Sequence, residues 1–368
     1  MGWTAPARHL VCQIEVVRAS IEGRPSVDEI TRIFIDTSKH VFQLHGVNGA
    51  EVVVLRRKLR REQLLAFFAK LSPTVVGLEA CAASHHWARE LAALGHAVRL
   101  LPPQYVKAYV KRGKNDGRDA EAGCEAMSRP TMRFVPVKSA QTQAALMLAS
   151  LRDRLVRERT RLGNVIRGHA AEFGLTAPKG VAHVAPLLAE AAGDARVPAL
   201  ARELFVDLAR RWDQLADELR RAERRLLAWH RSSELSQRLA KIPSLGPINA
   251  PMLVMKVPDP ALFRSGRDFA AWIGLTPKDH STAGRQRLGV ITRAGDAALR
   301  SALIVGATAV VKQAQRGKGS PWLIKLLKKD APKLAAVALA NRVARIAWRM
   351  MLSGEAYDPK PLMRELPA

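Results

Sequence analysis

Apolar residues in the first third of the chain fall in short runs that end on charged or turn residues. Arg32-Ile-Phe-Ile-Asp36 reads as a buried strand closing on an acid, and Val41-Phe-Gln-Leu-His45 continues through Gly46 and Val47 to Asn48-Gly49. Glu51-Val-Val-Val-Leu55 follows, and an Asn-Gly between two apolar runs predicts a β-hairpin. Arg60 to Lys70 has the spacing of an amphipathic helix. Thr74-Val-Val-Gly-Leu-Glu79 is a second strand ending in an acid, Ser84 to Leu94 reads as helix, and His96-Ala-Val-Arg-Leu-Leu101 is a strand stopped by Pro102-Pro103. A three-strand meander followed by strand–helix units predicts a mixed α/β sheet with helices on its faces.

Beyond Ser139 the period changes. Leu146, Ala149, Leu151, Leu155 and Leu162 recur at helical spacing among Arg152, Arg154, Arg157, Arg159 and Arg161. Arg202 to His230 repeats this style, with Trp212 and Trp229 expected in the core. The pattern predicts an antiparallel coiled-coil hairpin with a basic outer face suited to backbone phosphates. Leu239-Ala-Lys-Ile-Pro-Ser-Leu-Gly-Pro247 has the form of a helix-hairpin-helix turn, where backbone N–H groups approach a phosphate. An ordinary turn between helices fits the same residues. A small-residue loop follows Phe269, an apolar helix spans Ala298 to Lys312, Arg316-Gly-Lys-Gly-Ser-Pro321 is a basic linker, and Ala335 to Leu352 closes the chain as an amphipathic helix. The expected divisions are 1–26 as an N-terminal extension, 27–138 as the α/β domain, 139–235 as the basic helices and 236–368 as a mostly helical domain.

Charge narrows the partners. Lys and Arg number 59 against 33 Asp and Glu, a formal net charge of +26, while 48% of residues are hydrophobic. A folded chain with that excess points to a polyanion, with nucleic acid ahead of a membrane surface. No apolar run of membrane length and no signal-peptide core are expected. Cys12, Cys81 and Cys124 make no metal or disulfide spacing, fit a reducing cytoplasm and are expected to be small buried residues.

Candidate chemistry lies in two stretches. In Lys111-Arg-Gly-Lys-Asn-Asp-Gly-Arg-Asp119, Asn115 is an N-cap candidate, and Asp116 and Asp119 fall one turn apart beside Lys111, Arg112, Lys114 and Arg118. An acid in a strand such as Ile-Phe-Ile-Asp is costly unless paired or metal-bound. Asp36, Glu79, Asp116 and Asp119 are therefore expected to converge on one or two Mg²⁺ or Mn²⁺ ions for phosphodiester chemistry. The plain alternative is a capped helix turn and two locally paired acids. In the second stretch Ser281 and Thr282 sit beside His280, with Arg285, Arg287, Arg293 and Arg300 following. A hydroxyl nucleophile needs such a loop, a base or metal, and cations for the developing charge.

Ile35-Asp-Thr-Ser-Lys39, Gly77-Leu-Glu-Ala80, Lys114-Asn-Asp-Gly-Arg-Asp-Ala120, Ile242-Pro-Ser-Leu-Gly-Pro247 and Gly274-Leu-Thr-Pro-Lys-Asp-His-Ser-Thr-Ala-Gly284 stand in this order over residues 30–355. Together they resemble the DEDD-type insertion-sequence transposases, the one-ten family that includes the Piv invertase and is described as bridge-RNA-guided recombinases. The resemblance implies a RuvC-like, RNase H-fold domain whose acidic tetrad falls on Asp36, Glu79, Asp116 and Asp119. It implies a C-terminal domain whose serine forms a covalent link to DNA. Ser281 is the expected nucleophile, and the second hydroxyl of the family's Ser-Ser-Gly-Gly loop falls on Thr282. Donor and target DNA, a non-coding bridge RNA and a homo-oligomer from dimer to tetramer, with one copy's serine completing another's acidic site, are the implied partners. Lys39, Lys111, Arg112, Lys114, Arg118, Arg285, Arg287 and Arg293 are expected to contact nucleic acid. A nucleoid-associated cytoplasmic protein follows, with a hydrolytic RuvC-like junction resolvase or a non-catalytic nucleic-acid scaffold as the rival readings.

Overall fold

A computed structural model describes residues 30–110, 116–257, 259–282, 284–285 and 287–359, with Asp116 described by its backbone. The chain divides into two compact units, Met1–Gln141 and Thr142–Ala368. The first unit contains β1 (Arg32–Thr37), β2 (Val41–Val47), β3 (Val53–Arg60), α1 (Leu64–Phe68), β4 (Val75–Glu79), α2 (Ser84–Ala93), β5 (Ala97–Leu101), α3 (Pro103–Val106) and α4 (Asp116–Ala126). The strands form one mixed sheet in the order β3-β2-β1-β4-β5, as the alternation predicts. β2 runs antiparallel to β1 and β3, whereas β4 is parallel to both β1 and β5.

Strand alternation sorts this sheet into two faces. Ile33, Ile35, Leu44, Val76 and Leu78 pack with Leu64 and Phe68 of α1 and Trp87 and Leu91 of α2. Phe34 and Leu101 pack on the other face, with Ala120, Cys124 and Met127. The helix expected over Arg60–Lys70 is present in shorter form, as a 3₁₀ turn over Arg61–Gln63 followed by α1. β3 runs on to Arg60, completing the β2 ladder by pairing Arg60 with Val41. Its end reads exposed Lys58, buried Leu59, exposed Arg60, which is a strand period. The Asn-Gly turn is also longer than two residues. Asn48 Oδ1 accepts from Ala50 N–H and Val52 N–H, both at 3.0 Å, and Glu51 is left-handed at φ 62°, so β3 starts at Val53. Cys124 is buried, but Cys81, in the turn after β4, is exposed against expectation.

The second unit is helical: α5 (Ala140–Ala171), α6 (Val184–Gly193), α7 (Ala199–Ser232), α8 (Glu234–Leu239), α9 (Gly246–Lys256) and α10 (Gly266–Ile273). Then come β6 (Pro277–Asp279), β7 (Leu288–Ile291), α11 (Ala297–Ala314), α12 (Pro321–Lys329) and α13 (Pro332–Ser353). α5 and α7 lie antiparallel: Ala149 clusters with Leu226, Leu155 with Leu215 and Leu219, and Ile166 with Phe205 and Trp212. Much of the expected basic face is used internally. Arg152 pairs with Glu223 at 2.8 Å, Arg154 with Glu158 at 2.7 Å, and Arg157 with Asp153, while Arg159 lies 4.8 Å over the Trp212 ring.

Two features of this unit depart from expectation. The basic linker stands over 316–320, and α12, an element not foreseen, follows it because Ser320 caps it by accepting from Leu323 N–H and Pro321 fits its first turn. α11 is, by length and composition, apolar enough to cross a membrane, which amends the expectation of no such run. Its Leu299, Leu303, Ala307 and Val311 stripe is buried against Leu253 of α9, Phe269 of α10 and Leu339 of α13. α8 and α9 meet in a tight turn, with left-handed Ser244 (φ 86°) and Gly246 (φ 38°). Gly306 of α11 presses on that turn so closely that a Cβ there would sit 2.0 Å from the Ser244 carbonyl oxygen.

Burial predicts an acid limb in the stability of the first unit. The environment lowers His45 to about 4, chiefly through burial and secondarily through Arg56. The folded imidazole is then uncharged while the unfolded chain takes up a proton below its ordinary 6.5, so this contribution is complete above 6.5 and is lost as pH falls towards 4. Urea unfolding of wild type and His45→Gln at pH 7 and pH 4.5 is expected to show the difference, with about 2–3 kcal/mol less acid loss in the variant. His85, also lowered to about 4 mainly by burial, supplies a further part of the wild-type acid loss.

Candidate functional site

Helix α4 comes close to the sheet because two glycines leave room. A Cβ on Gly123 would stand 2.2 Å from the Phe34 ring, and one on Gly77 would stand 2.7 Å from the Met127 sulfur. Arg32, at the start of β1, donates from Nε to the Cys124 carbonyl at 3.2 Å and pairs with Glu51 through both guanidinium nitrogens. Glu121 lies 3.8 Å from Arg56, whose strand neighbour His45 is opposite Phe34. Glu121, Gly123 and Met127 thus meet Arg56, Phe34 and Gly77, which stand in one row across the sheet, so α4 runs across the strands.

That end carries the acids. The parallel register pairing Ile35 with Leu78 puts Asp36 and Glu79 side by side at the next step. Phe34 and Gly77, two residues earlier in each strand, face α4, so Asp36 and Glu79 share that face. Asp119 stands three and four residues before Ala122 and Gly123, which are buried against the sheet, and Asp116 begins the same stripe. Asp36, Glu79 and Asp119 are all half-buried. Lys111, Arg112, Lys114 and the N-cap candidate Asn115 lie outside the described residues, as does the Asp116 side chain. Lys39 is exposed in the turn after β1, and Arg118 is exposed on α4.

The geometry puts the two strand-end carboxylates side by side on the sheet face that α4 covers. Among the described residues it does not close any three His, Cys, Asp or Glu side chains into a metal-holding group. The donor chemistry nevertheless fits a hard divalent cation, since these are carboxylate oxygens on rigid elements.

The second candidate stretch is an exposed hairpin instead of an open loop. β6 and β7 pair antiparallel, and the ladder extends past them through His280 N–H to the Arg287 carbonyl at 2.9 Å and Arg285 N–H to the Thr282 carbonyl at 3.0 Å. Its base is tight: Cβ atoms on Gly274 and Gly295 would stand 2.4 Å and 2.0 Å from the Ala294 and Trp272 carbonyl oxygens. Arg300, expected among the cations serving the reaction, instead donates to the Ile273 and Ala294 carbonyls at 2.9 and 2.6 Å and clamps that base. Arg293 sits there too, exposed and left-handed at φ 55°.

At the tip, Ser281 and Thr282 are both exposed, but they are held differently. Arg287 N–H donates to Ser281 Oγ at 3.0 Å, and Ser281 N–H donates to Asp279 Oδ1 at 2.8 Å. Asp279 is held below the usual carboxylate range, first by a hydrogen bond from the Ser281 side chain and then by the Ser281 N–H. The His280 ring lies over Gly289, where a Cβ would come within 3.1 Å of it. Asp279 was not singled out in the sequence; an acid two positions before Ser281 can fold back onto its N–H, and that spacing was the available signal.

Comparison with known proteins covers both stretches. A family of DEDD transposases of the IS110 type matches residues 34–173, which include β1, β4 and α4. The family described as "Transposase IS116/IS110/IS902 family" matches residues 236–320, which include the hairpin. The y4pF/y4sB protein of Sinorhizobium fredii is 57% identical over 353 residues, covering 95% of this chain and 91% of that one. The transposase for insertion sequence element IS1328 of Yersinia enterocolitica is 37% identical over 331 residues, covering 89% of this chain and 99% of that one. The chain belongs to the IS110 family of DEDD transposases. The transposase for insertion sequence element IS1111A of Coxiella burnetii is also similar, at 35% identity over 342 residues, 91% of this chain and 93% of that one. IS110-family membership makes this a DNA-acting recombination enzyme, and the family's DEDD character implies use of a divalent metal.

Loss of the bare Cα at Gly123 is expected to disturb the acid face directly. Gly123→Ala gains about 1 kcal/mol of helix propensity, but Phe34 must move, and overpacking of this kind costs about 1–3 kcal/mol. Thermal unfolding should show net destabilisation, with Gly123→Val worse. Metal binding to the native state gives a separate check. Millimolar Mg²⁺ or Mn²⁺ is expected to raise the unfolding midpoint of the wild-type transposase, and to raise that of Glu79→Gln by clearly less.

Proposed function

We propose that this IS110-family transposase cleaves and rejoins DNA through Asp36, Glu79, Asp116 and Asp119 as a cation-holding tetrad and Ser281 as the nucleophile, with a phosphoserine intermediate. The observation that supports the reading is the side-by-side position of Asp36 and Glu79 at the ends of two parallel strands, on the sheet face that α4 covers. The strand order β3-β2-β1-β4-β5 supports a RuvC-like fold for the first unit, and the antiparallel α5 and α7 support a coiled-coil middle region between it and the serine-bearing region from residue 236. The acids hold the cation and orient the scissile phosphate. A bound Mg²⁺ or Mn²⁺ supplies Lewis-acid polarisation of the phosphate oxygens.

The hairpin favours Ser281 over Thr282. Ser281 Oγ is oriented by the Arg287 N–H and its backbone N–H is held by Asp279, whereas Thr282 is tied into the ladder through its backbone, to Arg285. Arg285 and Arg287 are exposed on the same tip and are placed to offset the charge of the pentacovalent phosphate. The net charge of +26 supports contacts to donor and target DNA and to a guiding bridge RNA. In this reading the protein acts in the cytoplasm as a homo-oligomer, dimer to tetramer.

Purified protein with divalent metal, flanking element RNA and a DNA bearing the element's end junction is expected to give a protease-sensitive DNA–protein adduct on a denaturing gel. Ser281→Ala should abolish it, and Asp36→Asn or Glu79→Gln should lower its yield at least 100-fold. An adduct surviving in Ser281→Ala but lost in Thr282→Ala moves the nucleophile to Thr282. Cut ends without adduct replace recombination with hydrolysis of the resolvase kind, and full activity of the acid variants would leave only a scaffold.

A further inference from the structure

We propose that Asp279 is the general base that accepts the Ser281 hydroxyl proton, so that nucleophile and base ride together on one strand of the hairpin. The proposal rests on the reading of Ser281 as nucleophile and adds a residue to it. A serine hydroxyl is a weak nucleophile unless its proton has an acceptor in hydrogen-bond reach as the new bond forms. Ser281 Oγ already accepts the Arg287 N–H at 3.0 Å. Asp279 Oδ1 accepts the backbone N–H of the same residue at 2.8 Å, which puts a carboxylate beside that hydroxyl.

Geometry excludes the more obvious candidate. His280 lies between the two residues in sequence and is the usual kind of base. Extended strands put alternate side chains on opposite faces, and the His280 ring is laid over Gly289 across the ladder. Asp279 and Ser281 share the other face. The hydrogen bond from the Ser281 backbone N–H fixes the Asp279 carboxylate beside the hydroxyl without help from another element. Lys278, His280, Arg285 and Arg287 are the charged or titratable neighbours on the hairpin, and all are exposed. This cationic setting keeps Asp279 ionised and able to take a proton at neutral pH.

The step balances as follows. The Oγ–P bond forms while the phosphorus–oxygen bond to deoxyribose breaks. The Ser281 proton passes to Asp279, and the leaving oxygen keeps its electron pair and takes a proton from water. In rejoining, a DNA hydroxyl attacks the phosphoserine and gives its proton to water as the new O–P bond forms, the Ser281 Oγ–P bond breaks, and Asp279 returns its proton to the departing Ser281 Oγ.

Asp279→Asn separates chemistry from architecture, because the amide oxygen still accepts the Ser281 N–H but cannot take up a proton at neutral pH. Single-turnover adduct formation would be followed from pH 7 to 9 in wild type, Asp279→Asn, Asp279→Glu and Ser281→Ala, with DNA binding measured for each. The expected result is a fall of about 100-fold in Asp279→Asn at pH 7, in the range of general-base catalysis. The log rate of that variant should rise by about one per pH unit as hydroxide takes over, while wild type stays flat. Asp279→Glu should recover part of the rate with a flat profile. An Asn variant within about threefold of wild type, one that is slow but flat with pH, or a Glu variant no faster than Asn overturns the role of Asp279 and leaves Ser281 in place. An adduct that persists in Ser281→Ala overturns the nucleophile itself, and Asp279 with it.

Discussion

The contact between the Phe34 ring and the bare Cα of Gly123 is the constraint on which the acidic face depends. Helices ordinarily stand off a sheet by the thickness of their side chains. Here Gly123 on the helix and Gly77 on β4 remove that spacing, so α4 settles directly on β1 and β4. Without it α4 would stand away from the sheet face that carries Asp36 and Glu79. Arg32 reinforces the seating from the far end of the strand, joining the Cys124 carbonyl to the Glu51 carboxylate.

The hairpin is built on the opposite principle. Its base is fixed by backbone crossings that tolerate only glycine and by the Arg300 clamp, whereas its tip is exposed on both sides. A two-stranded ribbon has little hydrophobic stabilisation of its own, and Leu288 and Val290 remain 56% and 69% exposed on β7. The reactive segment thus gets its register from the ladder and its position from the base. Charge is divided in the same way: arginines on α5 are spent on carboxylates and on Trp212, while those at the hairpin tip stay directed outwards.

Much of this was legible in the chain. Apolar runs ending in Asp36 and Glu79 gave the strands, and the long proline-free stretches gave α5 and α7, because period and length signal both types of element directly. The order of five short motifs gave the family. What escaped was set by pairing. Nothing local says that β3 runs on past Leu55 to Arg60; it does so because Val41 and Phe42 need partners. Gly77 and Gly123 look like ordinary small residues until both are seen against Phe34 and Met127. Asp279 was hidden for a similar reason, since His280 is the louder signal in sequence and faces the other way once the strand forms.

The long helices carry a consequence of a different kind. α5 is 32 residues, about 48 Å at 1.5 Å per residue, and α7 returns along it for 34. Ala149 on the way out and Leu226 on the way back meet in one cluster with Met252 and Met255 of α9. Everything between those residues is a spur that begins and ends at the same place. Its length can be cut or extended by whole matched turns without moving the point where the chain re-enters the helices that hold the hairpin. The number of turns in the spur and the residues of the exposed hairpin are therefore free to vary separately along this chain.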